Sequence, residues 1–272
     1  MELIVENGEI KKAYGYDEAV LTLPDGIKRL CEGIFTSFIF LEHIHLPNSL
    51  EIIDEHVFNN CVVLEDMYIP DGVHTIGEYA FQYCLKMQTL HLPKELKRIE
   101  NCTFRHCSSL KEVTVPEKVE YIDYDAFFGC EALEKFVSLN PECTYGRHVF
   151  YNCKNLKHLD APLALSKLDD VQLSRVCLEY CRFPESFCEA SKKAYENILK
   201  TPGEGFMTLV CENDDDRALG TLLNSVLDSS YTDLFLDKAR QMHASRCIGA
   251  LLEYKNRCGV GGIDGMMSEF EI

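Results

Sequence analysis

Residues of three chemical types recur in this chain with a period of 23 residues. Proline keeps this interval at Pro24, Pro47, Pro70, Pro93 and Pro116 and, after one position occupied by Leu139, at Pro162. Cysteine keeps it at Cys61, Cys84, Cys107, Cys130 and Cys153. Phenylalanine keeps it at Phe35, Phe58, Phe81, Phe104, Phe127 and Phe150. A repeat of roughly 20–30 residues is typical of a solenoid, in which each unit buries its apolar face against its neighbours. The period therefore predicts a solenoid over the first part of the chain.

Each period reads L-x-x-I-x-I-P, then v-x-x-I, then A-F-x-x-C. In the unit that begins at Leu64, Met67 and Ile69 are two residues apart and share one face of a short strand. Pro70 ends that strand because it has no backbone N–H to donate. Phe81 and Cys84 are predicted to fill the interior of the coil.

This pattern resembles the leucine-rich repeat family of the bacterial surface-antigen (BspA-like) type. Ile69-Pro70, Ile76-Gly77, Ala80-Phe81 and Cys84-x-x-Met87 carry the resemblance most fully, and it extends over residues 1–162. It implies an α/β repeat solenoid, a right-handed leucine-rich repeat coil of 23-residue units with a parallel sheet on one face. It also implies a role in binding proteins, because secreted relatives use this scaffold for adhesion.

The units at the two ends of the solenoid are irregular. Asn7-Gly8, which follows Leu3–Val5, is a strong hairpin signal, so Glu2–Leu23 is interpreted as an N-terminal cap. In the last period Leu139 takes the proline slot and Pro141 is displaced by two residues. This displacement predicts an altered loop near a domain boundary.

Helical spacing of apolar residues replaces the 23-residue phase after Pro162. Residues 209–223 and 238–252 align at an offset of 29, with Arg217/Arg246 and Gly220/Gly249 identical. Each copy is interpreted as helix, short polar break, helix, which resembles a degenerate ankyrin-type hairpin. Two roles stay open for this region: it either caps the end of the solenoid or binds a partner of its own.

We therefore predict three segments: a solenoid with its N-terminal cap at 1–165, an α-helical domain of ankyrin-like hairpins at 166–258, and a tail at 259–272. The tail begins with three glycines in four residues and ends acidic and apolar. It is interpreted as a flexible arm, with Met266, Met267 and Phe270 hypothesised to pack on a neighbouring molecule.

Charge and cysteine content limit the partners and the compartment. The formal net charge of −17 repels phosphate backbones and anionic lipid heads, so we expect no nucleic-acid partner. No apolar run reaches the roughly 20 residues of a membrane helix, so we expect no membrane insertion. The opening MELIVENGEIKK lacks the features of an export signal. The fourteen cysteines are accordingly interpreted as reduced, buried thiols of a cytoplasmic protein.

The sequence contains none of the common catalytic motifs that we considered as alternatives to a binding role. H-E-x-x-H, G-x-S-x-G, a phosphate-binding loop and C-x-x-C are absent. His45 and His91 lie two turns apart, about 9–10 Å, whereas zinc ligands lie about 2 Å from the ion. Cys177, Cys181 and Cys188 lack the spacing of paired zinc ligands and are interpreted as core thiols. We expect no enzymatic activity, no cofactor and no metal.

The sheet face is the candidate partner-binding surface. Side chains alternate along a strand, so an inward Ile44 places its two neighbours outward, and the period carries both positions forward. The predicted face consists of His43, His45, Asp66, Tyr68, Thr89, His91, Glu112, Thr114, Lys135, Val137, His158 and Asp160. Such a face either binds a partner or is merely solvated.

The predicted function is a non-enzymatic protein–protein interaction scaffold whose partner is an unidentified protein or peptide. It uses the sheet face and possibly the helical end. The alternative is a secreted or surface-attached adhesin whose export signal is absent from this chain.

Overall fold

The computed structural model describes residues 2–15, 17–225, 227 and 231–258. These residues fall into two compact units that divide between Gln172 and Leu173. The first unit is a β-solenoid and the second is helical, which confirms the predicted fold class. The tail at 259–272, with its hypothesised contacts of Met266, Met267 and Phe270, lies outside the described residues.

The chain begins with an antiparallel hairpin, β1 (Glu2–Glu6) and β2 (Glu9–Tyr14). Asn7 and Gly8 form its turn with φ of 51° and 80°, as the predicted Asn-Gly turn requires. Strand β2 then pairs in parallel with β4 (Arg29–Leu30), the first strand of one of the two ladders of the solenoid. The N-terminal cap therefore extends one of the solenoid's own ladders.

Two ladders of short strands run along the solenoid, one strand of each in every turn. The first ladder consists of β3 (Val20–Thr22), β5 (His43–His45), β7 (Asp66–Tyr68), β9 (Thr89–His91), β11 (Glu112–Val115), β13 (Lys135–Ser138) and β15 (His158–Asp160). The second ladder consists of β4 (Arg29–Leu30), β6 (Ile52–Ile53), β8 (Thr75–Ile76), β10 (Arg98–Ile99), β12 (Tyr121–Ile122) and β14 (Thr144–Tyr145). Where neighbouring strands pair, they are parallel and matched residues are 23 apart.

The phenylalanines that recur in the sequence form one stack in the core. The rings of Phe35, Phe58, Phe81, Phe104 and Phe127 are fully buried and nearly parallel, with neighbouring centroids 5.2 to 5.5 Å apart. Each ring after Phe35 thus contacts the equivalent ring of the turn before and the turn after. A ring buried on both faces links every turn to two others.

The recurring cysteines form a second column of stacked side chains in the core. Each thiol donates a hydrogen bond to the carbonyl of the phenylalanine 26 residues earlier, from Cys61 to Phe35 O at 3.2 Å up to Cys153 to Phe127 O at 3.2 Å. The five thiols are free and buried. Burial raises the pKa of Cys61 and of Cys130 to about 12, so these thiols are protonated and unreactive at neutral pH.

Two residues in each turn adopt left-handed backbone conformations, on either side of the A-F pair. His56 and Asn60 have φ of 55° and 62°, and their amides donate to Glu78 O and Gln82 O of the next turn at 3.0 and 2.7 Å. The same two positions are left-handed at Gly33, Ser37, Tyr79, Tyr83, Cys102, His106, Asp125, Gly129, His148 and Asn152. Left-handed backbone is unfavourable for residues with a Cβ, so the hydrogen bonds between turns offset this cost.

The irregular period at Leu139 lengthens the strand pairing of the first ladder. Unlike the proline that it replaces, Leu139 has a backbone N–H, which donates to Val115 O at 3.0 Å. Strands β11 and β13 consequently pair over four residues, with Val115 opposite Ser138. The missing proline thus extends a strand before the chain turns at Asn140.

A glutamine side chain closes the last turn of the solenoid. No cysteine stands 26 residues after Phe150, and Gln172 takes over the role of the thiol. Its Nε2 donates to Phe150 O at 2.8 Å and to Cys153 O at 3.2 Å, and the residue is only 5 % exposed. The final carbonyls of the core are therefore satisfied within the first unit.

Six helices follow the solenoid: α1 (Asp170–Arg182), α2 (Glu189–Leu199), α3 (Glu204–Glu212), α4 (Asp216–Ser225), α5 (Tyr231–Gln241) and α6 (Ser245–Cys258) among the described residues. Two short 3₁₀ turns, Pro162–Lys167 and Pro184–Ser186, precede α1 and α2. In the second unit α3 packs against α5 and α4 against α6.

The 29-residue repeat predicted for the second unit appears as two turns of the same geometry. Asp214 and His243 are both left-handed, with φ of 45° and 55°. The next amide donates to the carbonyl five residues earlier in both turns, Asp215 to Val210 at 3.1 Å and Ala244 to Ala239 at 2.9 Å. Two helical hairpins are therefore present, whereas their ankyrin-like character stays a prediction.

Removing one ring from the stack should destabilise the solenoid far more than removing an exposed ring. Phe104→Ala is expected to lower the free energy of unfolding by about 3–5 kcal/mol, because the turns on both sides lose a contact surface. Tyr124→Ala, at a side chain that is 43 % exposed, should cost about 1 kcal/mol or less. Urea unfolding followed by circular dichroism measures both, and equal midpoints for the two variants would contradict a central role of the stack.

Candidate binding surface

The residues of the predicted face occupy the first and third positions of the strands in the first ladder. Most of these side chains are exposed, while His43, Val137 and His158 are half-buried. Asp160 is only 8 % exposed, so its predicted outward position is wrong. The reason lies in the 3₁₀ turn Pro162–Lys167, which follows directly and packs against β15.

An aromatic pair stands at the middle of this face. The rings of Tyr68 and His91 stack with centroids 4.6 Å apart and an interplanar angle of 7°, and Tyr68 is 59 % exposed. Asp71 contacts the His91 ring at the edge of the pair, with His91 Nε2 3.4 Å from Asp71 Oδ1. Lys94 Nζ lies 2.6 Å from the other carboxylate oxygen, Asp71 Oδ2. The bond from Lys94 lowers the pKa of Asp71, so this carboxylate stays charged at neutral pH. Exposed, orderly aromatic side chains are frequent anchors of protein interfaces.

The charged residues of the face are of both signs and lie among neutral ones. Thr89 Oγ1 donates to Asp66 Oδ1 at 2.6 Å, and Glu112 and Lys135 follow at the same position in the next two turns. At the last strand, burial and the nearby Lys135 lower the pKa of His158. His158 is therefore neutral at pH 7, and the face has no continuous patch of one sign.

The first ladder is interrupted beside the aromatic pair. Its strands form the groups β3-β5, β7-β9 and β11-β13-β15, while the second ladder breaks one turn earlier, between β8 and β10. At the β5–β7 junction the amide of Glu65 still donates to Glu42 O at 3.0 Å. Within residues 17–225, which the structure describes without a gap, no backbone hydrogen bond joins β9 to β11.

A cleft of about 630 Å³ opens at the interrupted β9–β11 junction, which we call the ladder cleft. Its lining combines apolar and charged residues: Gln88, Thr89, Leu90, His91, Leu92, Lys94, Lys111, Glu112, Thr114, Pro116 and Leu139. Four residues of the predicted face, Thr89, His91, Glu112 and Thr114, are brought together here. This volume lies within the range of ligand-binding pockets.

Sequence reasoning located the face but missed the cleft. The pattern of the unit that contains β9 matches those of its neighbours, so nothing in it signals an interrupted ladder. The side chain of Leu90 is half-buried, whereas the equivalent Met67 and Val113 are fully buried. The one available signal was Leu139, which breaks the proline series and lines the cleft.

A second aromatic surface, at the left-handed positions and the residues next to them, was also missed. Tyr83 stacks on His106 with centroids 5.0 Å apart, and Phe128 stacks on Tyr151 at 5.1 Å. The Arg105 guanidinium lies 4.2 Å from the centroid of Phe128. The 23-residue spacing of these positions could have revealed this surface, but they carry different residue types in successive turns.

No group of three or more His, Cys, Asp or Glu side chains among the described residues is arranged to hold a metal ion. None of the described helices has both the length and the apolar character needed to cross a bilayer.

The geometry defines a class of protein, a parallel β-solenoid repeat protein with one exposed strand face. The family described as BspA type leucine rich repeat region matches residues 18–133 and 74–201, with six copies. The chain belongs to this BspA-type leucine-rich repeat family, which confirms the resemblance drawn from the sequence.

Solved structures of bacterial leucine-rich repeat proteins are similar to the chain. The leucine rich repeat protein of T. pallidum has 28 % identity and a TM-score of 0.49, with 51 % of this chain and 64 % of that chain covered. A leucine-rich repeat protein of Eubacterium ventriosum has 21 % identity and a TM-score of 0.49, covering 57 % and 42 %. The pneumococcal vaccine antigen PcpA has 20 % identity and a TM-score of 0.33, covering 51 % and 49 %.

The match to each of these structures spans less than two thirds of that protein's chain. No curated protein gives a significant match.

The interrupted ladder should be visible in amide hydrogen exchange. Glu112 and Lys135 are exposed residues at equivalent positions, but only the amide of Lys135 donates to the preceding turn, to Lys111 O at 3.2 Å. After correction for intrinsic rates, the amide of Glu112 is expected to exchange faster than that of Lys135. NMR exchange measurements test this, and equal protection of the two amides would show that the ladder is continuous in solution.

Proposed function

We propose that this protein is a non-enzymatic interaction scaffold that binds a protein or peptide through the sheet face of its solenoid. The observation that carries the proposal is the exposed Tyr68–His91 stack beside the ladder cleft. An aromatic anchor next to a cleft is the arrangement in which a few residues supply most of the binding energy. The regular strand face extends the contact over several turns.

The other chemistry of the described residues also favours binding over catalysis. The recurring thiols are buried and protonated, and they face carbonyl groups within the core. The titratable side chains of the face are spread over six strands, and they do not converge on one point as catalytic groups do.

We place the protein in the cytoplasm. Fourteen free cysteines support this, because an oxidising compartment favours disulfides. A cell-surface location would instead support the adhesin alternative.

The aromatic pair of the sheet face should be required for partner binding. Tyr68→Ala/His91→Ala is expected to reduce capture of the partner at least about tenfold, since an aromatic hot spot contributes about 2 kcal/mol or more. Tyr83→Ala/His106→Ala is the matched control, because it removes a stacked Tyr–His pair of nearly the same geometry from the left-handed surface.

Quantitative mass spectrometry after cross-linking and affinity capture compares the two double variants with the native chain. Both variants should unfold at similar urea concentrations. Undiminished capture by Tyr68→Ala/His91→Ala would refute the sheet face as the binding surface, as would an equal loss in the control variant.

The location is tested on intact cells that express the protein. We expect it in the soluble cytoplasmic fraction and protected from protease added outside, because free thiols are typical of a reducing compartment. Immunoblotting after protease treatment and fractionation gives the readout. Digestion by the external protease would replace the cytoplasmic scaffold with the adhesin alternative.

A further inference from the structure

We propose that the first turns of the solenoid carry a second docking surface, which binds a basic amphipathic helix of a protein partner. This surface lies in the loops that precede β5, β7 and β9 and consists of other residues than the sheet face, so the inference goes beyond the proposed function. It follows from two properties of the same three turns, which are exposed apolar side chains and an excess of negative charge.

Equivalent loop positions of three successive turns hold apolar side chains. Ile39 is 46 %, Phe40 55 % and Leu85 39 % exposed. Val62 and Val63 are half-buried. Ile39, Val62 and Leu85 are 23 residues apart, and so are Phe40 and Val63. We call these five residues the loop patch. Single exposed apolar side chains are ordinary, whereas a contiguous group of them marks an interaction site.

Backbone hydrogen bonds keep the three turns in register at the loop patch. Lys86 N donates to Val62 O at 3.2 Å. Just beyond the patch, Glu65 N donates to Glu42 O at 3.0 Å. Equivalent side chains are therefore neighbours, about 4.8 Å apart along the solenoid. The five residues consequently form one continuous apolar surface.

The turns that carry the loop patch are strongly acidic. Between Arg29 and Lys86 the sequence has nine aspartates and glutamates and no lysine or arginine. Lys28, Arg29 and Lys94, which lie outside this stretch, pair with three of the nine. The other six form no ion pair among the described residues: Glu32, Glu42, Glu55, Glu65, Asp66 and Glu78.

The excess of negative charge is confined to these turns and adjoins the loop patch. Glu42 and Glu65 follow Phe40 and Val63 by two residues. From residue 86 to residue 157, by contrast, eleven lysines and arginines accompany ten aspartates and glutamates. The later turns of the solenoid are thus nearly neutral, and only the first turns combine exposed apolar side chains with unneutralised carboxylates.

Charge complementarity identifies the occupant of the loop patch. An apolar surface bordered by carboxylates attracts a segment whose apolar side chains are flanked by lysines or arginines. The same field repels a second copy of this chain, whose formal net charge is −17. The surface therefore fits a basic segment of another protein.

The spacing of the loop patch favours a helical segment. Apolar residues on one face of an amphipathic helix recur about once per turn, or about every 5.4 Å along its axis. This distance is close to the spacing of about 4.8 Å between turns of the solenoid. A helix that lies along the solenoid can therefore offer one apolar residue to each of the three turns. Same-face residues of an extended strand are about 6.6 Å apart and lose this match.

The test uses a designed peptide of about 18 residues, long enough to form a helix in isolation. It has leucines at i, i+3, i+4 and i+7 and lysines on the opposite face. One control peptide has glutamate in place of each lysine. The other has the same leucines and lysines in an order without an apolar face. Fluorescence anisotropy measures the affinity of each peptide for the full chain and its variants.

Two variants test the apolar part of the surface. Ile39→Ser/Phe40→Ser removes its most exposed side chains. Tyr124→Ser/Tyr151→Ser is the matched control, because these side chains are 43 % and 57 % exposed in later turns. Urea unfolding should give similar midpoints for both variants.

Two further variants test the charge and leave the apolar side chains in place. Glu42→Gln/Glu65→Gln removes two carboxylates beside the loop patch. Glu120→Gln/Glu142→Gln changes the net charge by the same amount at exposed residues outside the acidic stretch. This control separates a local contact from general attraction between an acidic protein and a basic peptide.

We expect the amphipathic lysine peptide to bind the native chain at least tenfold more tightly than either control peptide. Ile39→Ser/Phe40→Ser and Glu42→Gln/Glu65→Gln should each weaken its binding at least tenfold, while the two matched controls should leave the affinity within about twofold of the native value. Tyr68→Ala/His91→Ala should also leave it unchanged, because the aromatic pair belongs to the sheet face.

Equal affinity of the reordered lysine peptide, unchanged binding by either variant of the surface, or an equal loss in its control would each overturn the proposal. Weaker binding by Tyr68→Ala/His91→Ala would overturn it as well, since the peptide would then occupy the sheet face. The proposed function is tested by capture of the native partner, so it can stand when this inference fails.

Discussion

Register between successive turns is the constraint on which the solenoid depends. Each Phe ring of the central stack contacts the equivalent ring of the next turn, and each recurring thiol donates to a carbonyl of the preceding turn. The left-handed residues on either side of the A-F pair also donate to the following turn. A turn by itself satisfies neither its apolar surface nor its backbone groups, so the units are stable only when stacked. This explains why the final turn needs the side chain of Gln172.

The candidate site lies where this register is weakest. Core contacts and the bonds of the left-handed positions continue through the turn that contains β9, as in Tyr83 N to Arg105 O at 2.9 Å. Only the strand ladders separate there. The core therefore holds neighbouring turns together, and β9 and β11 stay adjacent although no backbone hydrogen bond among the described residues joins them. The interruption lies beside an exposed aromatic pair and leaves the buried Phe stack undisturbed.

The helical unit also contains a repeat, which consists of two helical hairpins. Its two hairpins share a left-handed residue and a following amide that donates five residues back, although one turn carries Asp214 and the other His243. In the first hairpin the acidic residues also start helices: Asp215 Oδ1 accepts from Ala218 N at 3.0 Å, and Asp214 accepts from the first amides of α6. Asp214 and Asp215 are accordingly accounted for by helix capping.

The sequence by itself determined the solenoid, its period, its buried files and the strand positions of the face, because in-phase side chains leave one way of stacking equivalent turns. It also determined the hairpin at Asn7-Gly8 and the paired helices of the second unit. Only the tertiary structure decided that Asp160 is buried, that Gln172 closes the core and that the ladder parts between β9 and β11. These features depend on contacts between residues distant in the sequence, and a repeated pattern describes each turn as though its neighbours were identical.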